Sequence, residues 1–187
     1  MESQMVFPKE LNGMVIIYFD GLNEPVNPGG IACWGYVIEY NNRVILDHGV
    51  LGAGMLGQYT TNNMAEYTGL IKALERLLTM GFRGKVRVYG DSQLVINQMR
   101  GFWAVRSQKI LPFFERSVDL ARKFERVEFL WVPREENSSA DEQTNLAYKE
   151  FVEKNTDRFV SYYSKYLGTE KQQSLLGSIL SGRTVQS

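Results

Sequence analysis

The run Met14-Val-Ile-Ile-Tyr-Phe-Asp20-Gly21 sets six largely hydrophobic residues, rich in β-branched and aromatic side chains, directly ahead of a carboxylate. A short apolar run of that composition reads as a buried strand. An acid that follows it keeps its water only at the strand's end. Three more acids occupy comparable junctions, in Thr61-Asn-Asn-Met-Ala-Glu66-Tyr67, Val88-Tyr-Gly-Asp91-Ser92 and Asn137-Ser-Ser-Ala-Asp141. Loops at the ends of neighbouring strands converge in an α/β layer, so acids from separate segments can meet at one site. Like charges gathered at the rim of a core call for a cation.

Working outward from Asp20, the turn-prone Asn27-Pro-Gly-Gly30 precedes two strand-like stretches, Ile31 to Tyr40 and Arg43 to Leu51, around Asn41-Asn42. That arrangement predicts a hairpin. Met64, Tyr67, Leu70, Ile71, Leu74, Leu77 and Leu78 recur at helical spacing, with Gly81 as a stop and Glu66 expected in the first turn. Lys85 to Tyr89 alternates as a strand does, and Gly90-Asp91-Ser92 breaks into a short helix through about Gln98. Pro112 suits the first turn of a third helix with Phe113, Leu120, Ala121 and Phe124 on its inner face. Val127 to Val132 is another strand, and Ser139-Ala-Asp-Glu142 reads as a capping box opening a last helix with Asp141 in its first turn. The order β-β-β-α-β-α-α-β-α predicts an α/β domain of about 140 residues.

The composition narrows the chemistry. The 187 residues, 44% of them hydrophobic, suffice for one domain with a buried core. Cys33 is the lone cysteine, which excludes an internal disulfide and fits a reducing interior. No run reaches the roughly 18 apolar residues of a membrane span, and Met1 to Glu10 lack a signal-peptide pattern, so the expected location is cytoplasmic. Net charge is zero, so nucleic-acid binding must come from local clustering. With one histidine, His48, far in sequence from Cys33, zinc lacks ligands, and His48 is expected to be exposed near the end of a hairpin strand. There is no Walker-type loop and no nucleophile elbow. Carboxylates alone suit Mg²⁺ or Mn²⁺.

Three of the acids also have a plain structural reading. Asp141 and Glu66 fit the positive end of a helix macrodipole, and Asp91 fits a cap for the helix that follows it. Asp20 has no such reading.

Taken together, Asp20-Gly21, Asn27-Pro-Gly-Gly30, Thr61-Asn-Asn-Met-Ala-Glu66-Tyr67, Gly90-Asp-Ser-Gln-Leu-Val95 and Trp131-Val-Pro-Arg-Glu-Glu-Asn137-Ser-Ser-Ala-Asp141 resemble type 1 ribonuclease H. The resemblance spans residues 12–154, leaving 1–11 as an N-terminal extension and 155–187 as a C-terminal one. It implies a ribonuclease H-like α/β fold: a mixed five-stranded sheet, three antiparallel strands then two parallel, flanked by helices. The implied activity is hydrolysis of the RNA strand of RNA/DNA hybrids, leaving 5′-phosphate and 3′-hydroxyl ends. Asp20 would bridge two Mg²⁺ ions roughly 3.5–4 Å apart, Glu66 and Asp91 holding one and Asp141 the other. Glu66 would also contact a ribose 2′-hydroxyl, the group that tells RNA from DNA.

The same resemblance assigns Gly21, Asn27, Thr61, Asn62, Asn63, Trp103 and Arg106 to substrate binding, with Thr61 gripping a phosphate of the DNA strand. Asn62 reads equally well as a helix cap, and Trp103 as a core residue. Two departures stand out. Many relatives carry a histidine in the loop before the last acid, where this chain reads Pro133-Arg-Glu-Glu-Asn-Ser-Ser, leaving Arg134 or Glu136 to take part of its role. The segment from Gln98 to Lys109 is shorter and less basic than the family's DNA-clamping protrusion, with Arg100, Trp103, Arg106 and Lys109 as its contacts.

In the extension, Phe159, Tyr162, Tyr163, Tyr166 and Leu167 suggest an amphipathic helix packed on the domain or on a second copy. Gln173-Ser-Leu-Leu-Gly-Ser-Ile-Leu180 faintly resembles a sliding-clamp-binding peptide without its aromatic pair. The chain reads as a monomer. Two other functions remain open on these residues: a related ribonuclease H-like nuclease with a different nucleic-acid substrate, and a non-catalytic hybrid-binding module. The presence of all four acids argues against the second.

Overall fold

The computed structural model describes residues 13–168 and 170–183, so the expected extension over residues 1–11 lies outside the described residues. Strands β1 (Val15–Glu24), β2 (Ile31–Tyr40) and β3 (Arg43–Ala53) run in succession. Then come helix α1 (Asn62–Thr79), β4 (Lys85–Gly90), α2 (Gln93–Met99), α3 (Leu111–Ala121), β5 (Arg126–Trp131) and α4 (Ser138–Lys154). Helices α5 (Thr156–Tyr163) and α6 (Glu170–Arg183) end the described chain. The five strands lie in the order β3-β2-β1-β4-β5, antiparallel across β1–β2–β3 and parallel across β1–β4–β5. This is the expected mixed sheet. No helix among the described residues is long and apolar enough to cross a membrane.

The β2–β3 hairpin closes where expected, with Asn41 (φ 45°) and Asn42 (φ 59°) both left-handed, the conformation of a type I′ turn that asparagine tolerates. β1 departs from the expected end at Phe19. It continues to Glu24 because Asp20 pairs with Gly35 and Leu22 with Cys33 on β2. Its pairing with β4, however, stops at Tyr18–Tyr89. Asp20 therefore stands inside a strand but beside an open seam, where β4 has ended.

The sheet has a hydrophobic core on each face. Ile17, Phe19, Tyr36 and Val88 pack under α1 and α3 with Leu70, Leu74 and Leu120. Leu22, Ile31 and Cys33 pack on the opposite face with Ala147, Tyr148 and Val152 of α4. α5 joins that second core. Phe159 and Tyr163 are fully buried, and the Tyr163 hydroxyl donates to Gly29 O (2.9 Å) and accepts from Met55 N (3.1 Å). The amphipathic helix expected in the extension thus packs on the domain, while Tyr162 is exposed. The stretch Gln173 to Leu180 lies within α6, with Leu176 against the second core. Phe159→Ala is expected to cost about 3–5 kcal/mol, read as a lowered denaturation midpoint. A shift below 1 kcal/mol would mean that α5 is dispensable to the core.

Four local expectations are corrected. Glu66 is the fifth residue of α1, one turn further in than expected, because α1 starts at Asn62. Thr61, not Asn62, caps that helix, accepting from Met64 N (3.2 Å). The Ser139–Glu142 capping box does not form, because α4 starts at Ser138 and its cap residue Asn137 makes no side-chain cap bond. His48 lies inside β3 and is half-buried, bonded to Gln143 Oε1 (2.9 Å) and Glu150 Oε2 (3.1 Å) of α4.

Candidate active site

Two glycines decide where the first two acids meet. A Cβ at Gly21 would overlap the Ala65–Glu66 backbone, and one at Gly69 would press on Asp20 O. α1 can therefore lie directly on β1, with Glu66 beside Asp20. Both carboxyls are buried, at 5% exposure each. Asp91 follows the last residue of β4. It does not cap α2; Ser92 does, accepting from Val95 N (3.3 Å). Asp20, Glu66 and Asp91 each offer an oxygen within 4.8 Å of the others.

Asn137 holds this cluster in place, a part the sequence reading did not assign to it. Fully buried, it donates through Nδ2 to Phe19 O (2.9 Å) and to Asp91 Oδ1 (3.3 Å). It thus ties Asp91 to the strand that carries Asp20. The signal was its place in Asn137-Ser-Ser-Ala-Asp141, but its partners lie 46 and 118 residues away in sequence. Thr144 Oγ1 of α4 lies 3.4 Å from Asp20 Oδ2.

The acids resist ionising together. Burial, then the neighbouring Asp91 charge, pushes Asp20 up to about 7. Burial, then the charges of Asp20 and Asp91, raises Glu66 well above the usual carboxylate range. Burial also raises Asp91, against the hydrogen bond from Asn137. Glu66 Oε2 is buried without a hydrogen-bond partner. An orphaned carboxylate oxygen among two other crowded carboxylates, with no His or Cys in the cluster, fits a hard divalent cation.

Asp141 faces the same cleft of about 350 Å³, which is also lined by Gly21, Asn23, Asn62, Ser92 and Arg134. It is not within the three-carboxylate cluster. Arg134 Nη2 donates to its Oδ1 (3.0 Å), so the arginine in the loop before the last acid is in direct contact with it.

Among the other expected substrate residues, Gly21 and Asn62 line the acid cleft. Asn27, Thr61 and Asn63 line a separate depression with Tyr59, Ser107 and Lys109, where the Lys109 ammonium sits 3.4 Å from the Tyr59 ring centroid. Asn27 Oδ1 accepts from Asn62 N (3.0 Å) and Asn23 Nδ2 (2.9 Å), joining the two clefts. Trp103 is 47% exposed and is not a core residue. Neither it nor Arg106 lines these two clefts.

The family described as Reverse transcriptase-like matches residues 31–147. A bifunctional protein of Mycobacterium tuberculosis is 34% identical over 133 residues, covering 71% of this chain; the chain spans only 35% of that relative's length. Ribonuclease HI of Halobacterium salinarum is 32% identical over 142 residues, covering 76% of this chain and 68% of the relative. The crystal structure of RNase H1 from that archaeon superposes with a TM-score of 0.65 at 33% identity, covering 74% of this chain and 99% of the other. LC11-RNase H1, solved in complex with an RNA/DNA hybrid, gives a TM-score of 0.65 at 32% identity, covering 74% and 99%. Sequence, sheet topology and acid cluster agree: the chain belongs to the type 1 ribonuclease H family.

Proposed function

We propose that this chain is an endoribonuclease that cleaves the RNA strand of RNA/DNA hybrids, using divalent cations held by Asp20, Glu66, Asp91 and Asp141. The observation that carries this reading is the clustering of Asp20, Glu66 and Asp91 within 4.8 Å, with Glu66 Oε2 left unpartnered. The hybrid as substrate is supported by the RNA/DNA hybrid bound to LC11-RNase H1. Two ions, Mg²⁺ with Mn²⁺ as a substitute, would supply the Lewis acidity that activates a water and stabilises the leaving 3′ oxygen, giving 5′-phosphate and 3′-hydroxyl ends.

The chain's own residues do the rest. Asn137 keeps the Asp91 carboxylate aimed at Asp20, and the buried walls of the cluster hold these acids in a weakly screened setting. Asn62, in the same cleft as Glu66, offers an amide to the RNA strand, and Glu66 accepts from a ribose 2′-hydroxyl, an interaction unavailable to DNA. The depression of Asn27, Thr61 and Asn63, with the Lys109 charge at its side, suits a phosphate of the DNA strand.

The test compares an RNA/DNA hybrid, duplex RNA and duplex DNA with Mg²⁺, using the wild type and Asp91→Asn. Cleavage confined to the RNA of the hybrid, and lost in the variant, is expected. Retained activity in Asp91→Asn would sink the site, and cutting of duplex DNA would sink the substrate.

A further inference from the structure

Both carboxylate oxygens of Asp141 are engaged by side chains of the protein itself. Arg134 Nη2 donates to Oδ1 over 3.0 Å, and Asn145 Nδ2 donates to Oδ2 over 3.1 Å. Glu66, in contrast, has an oxygen with no partner at all. The two donors to Asp141 differ in how firmly they are held. Asn145 lies one turn further along α4 and also donates to the Asp141 carbonyl (2.8 Å), so it is fixed by the helix itself. Arg134 comes from the 3-10 turn Arg134–Asn137 that precedes α4, and its side chain is 70% exposed. Only Arg134 brings positive charge, and it lines the same cleft as the three clustered acids.

Resting on the proposed hydrolase reading, we propose that Arg134 is a built-in counter-ion for Asp141. In the substrate-free protein, a second divalent cation gains this carboxylate only by displacing the guanidinium. No arginine or lysine hydrogen-bonds the clustered carboxylates among the described residues, so the first cation displaces no ion-paired side chain there, although the Arg134 charge also acts on Asp20 and Asp91. The two sites therefore fill in a set order, the cluster of Asp20, Glu66 and Asp91 before Asp141.

An ion pair this exposed shifts an equilibrium by no more than about fivefold, so it delays the second cation without excluding it. The guanidinium keeps its charge at every working pH, so the competition is set by cation concentration and not by proton uptake at Arg134.

The experiment is a Mn²⁺ titration of the full substrate-free chain, followed by calorimetry, for the wild type, Arg134→Gln and Arg134→Gln/Asp141→Asn. Expected is a weaker second binding step in the wild type that tightens by about fivefold in Arg134→Gln and loses that gain in the double variant. Three results would overturn the proposal: an unchanged second step in Arg134→Gln, no second step in any form, or a gain that survives Asp141→Asn. The last would mark a general charge effect on the cleft, not competition for one carboxylate. Hybrid cleavage by the wild type is measured alongside. Its absence would refute the proposed activity and leave the binding comparison to decide the role of Arg134.

Discussion

Asp20→Asn is expected to lower hybrid cleavage by about a thousandfold or more, while raising the thermal stability of the cation-free protein above neutral pH. The first effect follows from the place of Asp20 between the other acids, since losing several kcal/mol of transition-state stabilisation costs a factor of ten per 1.36 kcal/mol. The second follows from linkage. The folded Asp20 carboxyl keeps its proton up to about pH 7, against an ordinary value of 3.8. Between those values the folded state binds more protons than the unfolded chain, so the stability this group contributes falls as pH rises and is lowest above about 7. The amide variant has no such penalty. Melting curves in chelator at pH 5 and pH 8 should show the variant's advantage growing with pH. Added Mg²⁺ should raise the wild-type midpoint at pH 8 more than the variant's. A midpoint difference independent of pH would refute the buried, crowded state of this carboxyl. Activity within tenfold of wild type would remove Asp20 from the site.

Gly21→Ala is expected to be the most damaging single-methyl change on the site, abolishing measurable cleavage and costing about 1–3 kcal/mol or more of stability as an overpacked contact. Its Cβ would meet main-chain atoms of Ala65 and Glu66, and backbone cannot swing aside as a flexible side chain can. Relief requires α1 to lift from β1, which carries Glu66 away from Asp20. The pairing of Gly21 with Trp34 on β2 blocks the opposite adjustment. Cleavage kinetics and a denaturation midpoint on the same preparation check both effects. A variant that folds and cuts as the wild type does would show that the β1–α1 contact has slack.

The elements most legible in the sequence were those fixed by nearby residues. Asn41-Asn42 specifies the hairpin because its left-handed conformation is a local matter. The Met64–Leu78 spacing specifies α1 because it repeats every turn. The true end of β1 was not legible, since Gly21-Leu-Asn-Glu24 has no strand pattern of its own and is held by β2 through pairs such as Glu24–Ile31. Asn137 was quoted as part of a motif yet given no contact of its own, because its two acceptors are brought to it by the fold. The same holds for Tyr163, whose partners Gly29 and Met55 precede it by 134 and 108 residues. As for the acids, three carboxylates were legible as one cluster, whereas the pairing of Asp141 with Arg134 was not. A seven-residue separation across a 3-10 turn and a helix start has no periodic signature.

The early stop of β1–β4 pairing at Tyr18–Tyr89 has a mechanical consequence. Glu66 is carried by the layer of α1 and α3, Asp141 by the layer of α4 and α5 on the other face of the sheet, and both line the cleft beside Asp20. The cleft thus takes its walls from two separately packed halves. Loosening either half slackens the same centre, so changes far from the cleft on opposite sides of the molecule would converge on one defect.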